Sequence, residues 1–412
     1  MITSILITIF TVLSSIIIFF MVLPFITVVL SFFGKEKIKS KEIKKEFDFG
    51  CIITAYKNAD ITIPLVHSLI KQNYKNFEIY VVADDCDVST WDLEHEKLTL
   101  LNPQPALKLK AKSIIHAIEN YKRKHDYSVV LDADNLAHPD FLKIMNLYAN
   151  NGHRTIQGQR TAKNLDTMYA CADSTGEFYK NYIERYAPYL IGSSSVISGS
   201  GMAVEYDLYN EYLNSPEIQQ GKEKWKKMLQ EDKILQNFLL NKKEKISYAW
   251  DAIVYDEKVV SRDQVETQRS RWLFSYFQNF PNSSGFVLKG LFGFNFNQLF
   301  FGLMTVSPPM FILLFASIIF MVVGFIIAPP VGIALFVANA IFSLNILLSL
   351  YLSKVPSEIW KALYGLPPFV FGQLLGLLKI GNPNKNFKHS EHTRSVSIDE
   401  IMKNKPEKIS QD

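Results

Sequence analysis

Tyr127-Ser-Val-Val-Leu131, followed by Asp132-Ala-Asp134-Asn135, is the stretch on which the reading of this chain turns. The first five residues are a short apolar, β-favouring run, which predicts a buried strand ending where the carboxylates begin. In an open α/β sheet, ligands bind beyond the carboxyl ends of the strands. Two Asp residues flanking one Ala at such a lip can offer oxygen ligands to a hard cation. Mg²⁺ or Mn²⁺ suits carboxylates and commonly shares its shell with substrate phosphates. The stretch therefore predicts a place to hold a diphosphate through its metal. The competing reading is a strand-to-helix turn, with Asp capping a helix that Pro139 begins. Asp-x-Asp alone does not choose between the two.

Upstream of this stretch the same alternation repeats. Phe49-Gly-Cys-Ile-Ile-Thr-Ala55 reads as a strand, Ile61–Gln72 has helical spacing, and Phe77-Glu-Ile-Tyr-Val-Val-Ala83 is a second strand ending at Asp84-Asp85. Ala111–Tyr121 reads as a helix. Strands and helices in units of this length predict an α/β fold with a doubly wound, mostly parallel sheet. No G-x-G-x-x-G follows the first strand, so the dinucleotide-binding fingerprint is absent.

Composition sets the frame around this core. The chain has 412 residues, 48% of them hydrophobic, and a formal net charge of +4. That charge, with no basic recognition helix and no zinc-finger spacing, excludes a dedicated nucleic-acid binder. Cys51, Cys86 and Cys171 are far apart and form no metal pattern, so they read as small buried residues in a reducing compartment.

The apolar residues are concentrated at both ends. Residues 2–32 carry no charge and suffice to cross a bilayer, which needs roughly 20 apolar residues. A cleaved signal peptide fits poorly, lacking a basic n-region and a small-residue cleavage site. Lys35, Lys37, Lys39, Lys41, Lys44 and Lys45 follow, and the positive-inside rule puts this flank in the cytoplasm. Residues 308–327 and 331–352 are also uncharged, separated by Pro329-Pro330. The resulting plan is a transmembrane helix at 1–33, a basic linker at 34–46 and a cytoplasmic domain at 47–285. An interfacial helix at 286–307, two transmembrane helices at 308–352, an interfacial or re-entrant segment at 353–380 and a polar cytoplasmic tail at 381–412 complete it.

Three further motifs follow the first in order. Ser198-Gly-Ser-Gly201-Met202 is a small-residue turn leading into an extended run. Glu231-Asp232 sits on a helix that reads to Leu240. Gln268-Arg269-Ser-Arg271-Trp272 starts a helix that becomes strongly aromatic at Phe274, Tyr276, Phe277 and Phe280, a pattern suited to a membrane interface. Each has a bland reading: a plain turn, a solvated helix face, an amphipathic surface helix.

Taken in order, Asp84-Asp85, Lys112, Asp132-x-Asp134, Gly199-x-Gly201, Glu231-Asp232 and Gln268-x-x-Arg271-Trp272 resemble the family-2 membrane glycosyltransferases. Cellulose, chitin and hyaluronan synthases belong to that family, and ceramide glucosyltransferases are similar in the same motifs. The resemblance covers roughly residues 47–285 and implies a GT-A nucleotide-sugar domain flanked by transmembrane and interfacial helices. It implies that Ala55, Tyr56, Asp84 and Asp85, with Lys112 and Asp132, bind a UDP-sugar donor. Asp134, with Asp132 beside it, would hold Mg²⁺ or Mn²⁺. Gly199, Ser200, Gly201 and Met202 would border the acceptor. Asp232 would be the base, with Glu231 and Gln268 in the catalytic set, Arg271 on the diphosphate and Trp272 against the acceptor sugar.

The implied reaction is inverting, metal-dependent transfer to a membrane-associated glycan or lipid-linked sugar, forming a β-glycosidic bond at the inner (plasma) membrane. A processive β-glycan synthase and a catalytically silent membrane scaffold are the alternatives, and an oligomer or export partner is left open. Three departures stand out: Gln230 where relatives carry Thr, Leu273-Phe274 after the Trp, and a loosely similar basic loop at Phe387–Arg394 containing His389 and His392.

Overall fold

The computed structural model describes residues 2–224, 229–366, 369, 370, 373 and 396–404. They form two compact units. One contains Lys37–Ala170, Ser194–Val260 and the described C-terminal residues; the other contains the chain up to Glu36, Cys171–Ser193 and the described residues from Ser261 to 373.

The first unit is built on an eight-stranded sheet. Its strands are β1 (Phe49–Tyr56), β2 (Phe77–Asp84), β3 (Leu98–Leu101), β4 (Tyr127–Asp132), β5 (Leu136–Ala137), β6 (Thr155–Ala162), β7 (Met202–Glu205) and β8 (Ser247–Asp256). The spatial order is β3-β2-β1-β4-β7-β6-β8-β5. β3, β2, β1 and β4 run parallel, with Ile52 between Tyr80 and Val130. β1, β2 and β4 are the continuous β-branched and aromatic runs, buried on both faces as parallel strands require, whereas β3 at the sheet's edge is half-buried. β6 and β8 are also parallel, whereas β7 runs antiparallel to β4 and β6, and β5 antiparallel to β8. The sheet is thus mixed but mostly parallel, with helices Ile63–Ile70, Lys110–Glu119 and Phe141–Asn150 among its crossovers. Cys51, Cys86 and Cys171 are all buried free thiols.

The antiparallel insertion of β7 has a direct consequence. Met202 pairs with Val130, so the start of β7 lies beside the end of β4. The Gly201 N–H donates to the Val130 carbonyl at 2.9 Å. The small-residue turn and the Asp-x-Asp lip are brought together by strand direction alone. At the far edge, Ile398 and Ile401 of the helix Ile398–Asn404 pack on Leu136 and Tyr255, and Asp399 pairs with Lys71.

Among the described residues, the second unit contains three helices long and apolar enough to cross a membrane: Ser4–Ser31 within Ile2–Ser31, Met310–Ile327 and Pro329–Leu352. Met21, Leu313, Ala338 and Phe342 form their shared core, and Phe10 stacks on Phe320 with ring centroids 5.3 Å apart. Between the last two helices, a Cβ on Gly324 would lie 2.9 Å from the Gly332 backbone, so small residues permit the close approach. The outward side chains are large and apolar, among them Ile9, Phe19, Ile319, Phe325 and Phe336.

Helix Arg262–Phe292 is continuous through residue 285 and packs against Phe296–Val306. Phe277, Phe280, Leu291, Phe292 and Phe294 are exposed on this pair. Ser357–Ala362 is helical; most of 367–395, including the Phe387–Arg394 loop with His389 and His392, lies outside the described residues, as do residues 405–412.

Candidate active site

Lys110 is the centre of the site in the first unit. It is the first residue of helix Lys110–Glu119, and its Nζ donates to Asp132 Oδ1 at 2.7 Å and to the Gly199 carbonyl at 2.9 Å. It also lies 3.4 Å from Glu231 Oε1. One ammonium therefore joins the Asp-x-Asp lip, the glycine turn and the Glu-Asp pair. Burial pulls the Lys110 ammonium down, but Asp132 and Glu231 outweigh it and leave the group above the usual lysine range. Glu231 is shifted upward: burial pushes it up, and Lys110 offsets only part of that.

The lip itself is tightly determined. The Asp132 N–H donates to Ser200 Oγ at 3.0 Å and Asn135 Oδ1 at 3.1 Å, and the Ser200 hydroxyl donates to Asn135 Oδ1. Asp134 is buried; its Oδ1 accepts from Asn135 Nδ2 at 3.3 Å and its Oδ2 from the Glu257 N–H at 3.2 Å. Neither Asp caps a helix, since β5 intervenes and the next helix starts at Phe141. The capping alternative is thereby set aside. Among the described residues no group of three His, Cys, Asp or Glu side chains gathers in one place. Two carboxylates at a strand end fit a Mg²⁺-type ion completed by diphosphate and water, not a closed protein cage.

Gly199 and Gly201 both have positive φ, 79° and 66°. A Cβ on Gly199 would lie 3.6 Å from Asp232 Oδ2, and one on Gly201 3.1 Å from Val254 Cγ2. Asp232 thus lies against Gly199, and the two glycines are required by their left-handed backbone. Asp232 is the second residue of helix Glu231–Asn241, and Gln230, at φ 60°, turns the chain into that helix. Asp232 Oδ1 accepts its neighbour's N–H, that of Lys233, at 2.8 Å.

Other expected residues fall elsewhere. The buried Asp84 carboxylate accepts from the N–H groups of Leu107 and Lys108, each at 2.7 Å, and so holds the loop before Lys110. Ala55 packs in a small core with Ala59, Ala83 and Cys86, while Tyr56 lies beside Asp85 at the end of β1. Met202 is buried in β7. Lys112 lines a groove with Leu107, Lys108, Gln219, Lys222 and Glu223. Gln268, Arg271 and Trp272 belong to the second unit, on helix Arg262–Phe292. There Gln268 Oε1 is buried with no hydrogen-bond partner among the described residues, and burial lowers the Arg271 guanidinium.

Sequence reasoning missed Lys110 and a second polar group. Arg160 donates to the Ser198 carbonyl at 2.9 Å and to Asp256, which also pairs with Lys258 at 2.9 Å. Asp256 ends a β-run, Ile253-Val-Tyr-Asp256, just as Asp84 and Asp132 do, and that shared pattern was the available signal.

Residues 48–275, more than half of the chain, match the family described as Glycosyltransferase like family 2. The chain belongs to that family. It is a glycosyltransferase of GT-A fold. No curated protein matches the chain. Among solved structures, it is similar to the mannosyltransferase PcManGT from Pyrobaculum calidifontis, in complex with GDP-Man and Mn²⁺, at 12% identity and a TM-score of 0.48, covering 89% of this chain and 99% of that one. It is also similar to S. aureus TarS at 16% identity and a TM-score of 0.37, covering 58% of this chain and 40% of that one. The S. aureus TarS 1-349 structure with UDP is likewise 16% identical, with a TM-score of 0.36, covering 54% and 63% of the two chains.

Proposed function

We propose that this family-2 glycosyltransferase moves a sugar from a UDP-sugar to a membrane-associated acceptor, a glycan or lipid-linked sugar. Transfer proceeds with inversion, forming a β-glycosidic bond, and depends on Mg²⁺ or Mn²⁺. The observation that carries this reading is the Lys110 ammonium, shared by Asp132, the Gly199 carbonyl and Glu231.

Asp134 and Asp132 are the residues that would hold the cation. When bound, the cation neutralises charge on the leaving diphosphate. Lys110 keeps Asp132 and Glu231 in register, so the lip and the base helix act as one preorganised surface. Asp232 takes the proton from the acceptor hydroxyl as its oxygen attacks the anomeric carbon. A single displacement from the face opposite the diphosphate inverts that carbon. Arg271 keeps the role of supporting the diphosphate and Trp272 that of contacting the acceptor, as the family motif implies.

Three helices able to span a membrane support a membrane-held acceptor. Among the described residues these three are few to enclose a hydrated polymer, whose hydroxyls require polar walls within a bilayer. The reading therefore favours single addition over processive export, with the catalytic domain on the cytoplasmic side of the inner membrane. Purified full-length protein, given a panel of sugar nucleotides with Mg²⁺ or Mn²⁺, should release UDP from a UDP-sugar, with chelator abolishing release. Turnover of only a GDP-sugar, or full activity in chelator, refutes the corresponding part.

A further inference from the structure

Asp134 is held from two directions, and both lead to one rung of the sheet. Along the chain, Asp134 stands two residues before Leu136 of β5. Across the sheet, the Glu257 N–H that donates to Asp134 Oδ2 at 3.2 Å stands two residues after Tyr255 of β8. Leu136 and Tyr255 are register partners. The placing of the Asp134 carboxylate therefore depends on how well β5 and β8 stay paired.

β5 is a weak strand by itself. It is two residues long and ends the strand order. Strands that short form few ladder bonds, and an edge must be covered to stay in place. The His138 N–H donates to the Ile253 carbonyl at 3.0 Å, the Ala137 N–H to Ser68 Oγ at 2.9 Å, and Gln72 Nε2 to the His138 carbonyl at 2.7 Å. These bonds act on residues 137 and 138. Leu136, nearer the carboxylate, is held by packing.

The tail supplies that packing. Helix Ile398–Asn404 sets Ile398 and Ile401, 2% and 6% exposed, against Leu136 and Tyr255, with Ile253 and Met402 beside them. Positions 398 and 401 are three apart and so share one face of the helix. Asp399 pairs with Lys71, which caps helix Ile63–Ile70, the element that carries Ser68. The family match ends at residue 275, so this contact comes from the chain beyond the family domain.

We propose that Ile398 and Ile401 are positioning residues for Asp134: the tail helix clamps the Leu136–Tyr255 rung and so fixes the carboxylate that would hold the cation. This rests on the reading of Asp134 as a cation ligand and extends it to a segment outside the family domain. Without the clamp, Asp134 must be ordered at each binding event, which weakens the cation's hold. Contacts to the nucleotide that do not pass through the cation are spared.

The test uses detergent-solubilised full-length protein, with UDP and Mn²⁺ as probes. Calorimetry gives the Kd of UDP in chelator and at a fixed Mn²⁺ concentration, and the ratio of the two is the metal enhancement. In Ile398→Ala/Ile401→Ala that enhancement should fall at least fivefold, while the Kd in chelator stays within twofold. Ile398→Val/Ile401→Val keeps a branched apolar contact and should restore it. An unchanged enhancement overturns the proposal. So does an equal loss of affinity with and without Mn²⁺, which marks a general loosening of the domain. Should the unaltered protein show no metal enhancement, the cation reading of Asp134 is refuted and this proposal with it; enhancement that the alanine variant retains refutes the clamp alone. If the alanine variant fails to fold, hydrogen exchange on the unaltered protein decides. Coupling is reciprocal, so Mn²⁺ with UDP should slow exchange in residues 396–404 relative to UDP in chelator. Equal exchange there in both conditions overturns the clamp.

Discussion

Lys110→Met removes the cation that three motifs share while keeping much of the side chain's volume. At 2.7 Å from Asp132 and 3.4 Å from Glu231, the gross Coulomb energies are about 6 and about 5 kcal/mol at an effective dielectric constant of about 20. Little of that survives as net stability. The Lys110, Asp132 and Glu231 side chains are 27%, 34% and 15% exposed, the cation regains hydration on unfolding, and Glu231 can relax by protonating. Breaking a fully buried pair costs about 3–5 kcal/mol, and partial exposure reduces this to about 1–3 kcal/mol. The loss in turnover should be larger, about 10²-fold or more, because the lip and the base helix lose their common tie. Thermal unfolding of the detergent-solubilised protein reads the first effect and UDP release the second. A double-mutant cycle with Glu231→Gln should give a coupling of about 1 kcal/mol or more. Additive effects, or a turnover within twofold of the original, would refute the bridging role.

Asp134→Asn removes one charge from the cation-holding pair, so nucleotide binding should lose its metal dependence and turnover should fall steeply; calorimetry with and without Mn²⁺ checks this, and unchanged metal-dependent binding contradicts it. Asp232→Asn should lower turnover by about 10²–10⁴-fold while donor affinity stays near its original value, measured by UDP-sugar binding; retained turnover would place the base elsewhere. His153, bonded to Ser247 Oγ at 2.6 Å and to the Lys37 carbonyl at 3.2 Å, is held below the usual histidine range by burial. Its stabilising contribution is complete above the unfolded pKa of about 6.5 and is lost as pH falls through the lower folded value. The unfolding temperature should therefore drop between pH 7.5 and pH 5, with a shallower slope in His153→Gln; equal slopes would assign the acid sensitivity to other groups.

The sequence by itself determined the elements that local pattern specifies. The apolar runs at 49–55, 77–83 and 127–131 are strands, because uninterrupted β-branched stretches of that length favour a doubly covered parallel sheet. The uncharged runs at 2–32, 308–327 and 331–352 are long helices for an equally local reason. Asp132 and Asp134 could be singled out because a carboxylate at a strand end stands out in one dimension, and Asp232 because Glu231-Asp232 falls in the order of the family's motifs.

Tertiary structure alone decided the rest. Lys110 and Lys112 are indistinguishable in the string, yet on a helix they point about 200° apart. Only the seating of that helix on the sheet sends the first to Asp132 and the second to an outer groove. The antiparallel entry of β7, which sets Gly199 and Ser200 beside the Asp-x-Asp lip, is a choice of strand partner and leaves no periodic trace. Leu136 and Ile401 lie far apart in the string, and their spacing says nothing of their contact. Hydrophobic periodicity fixes which face of an element is buried. Which charged groups then meet depends on rotation and order of packing, and both are settled by the whole chain at once.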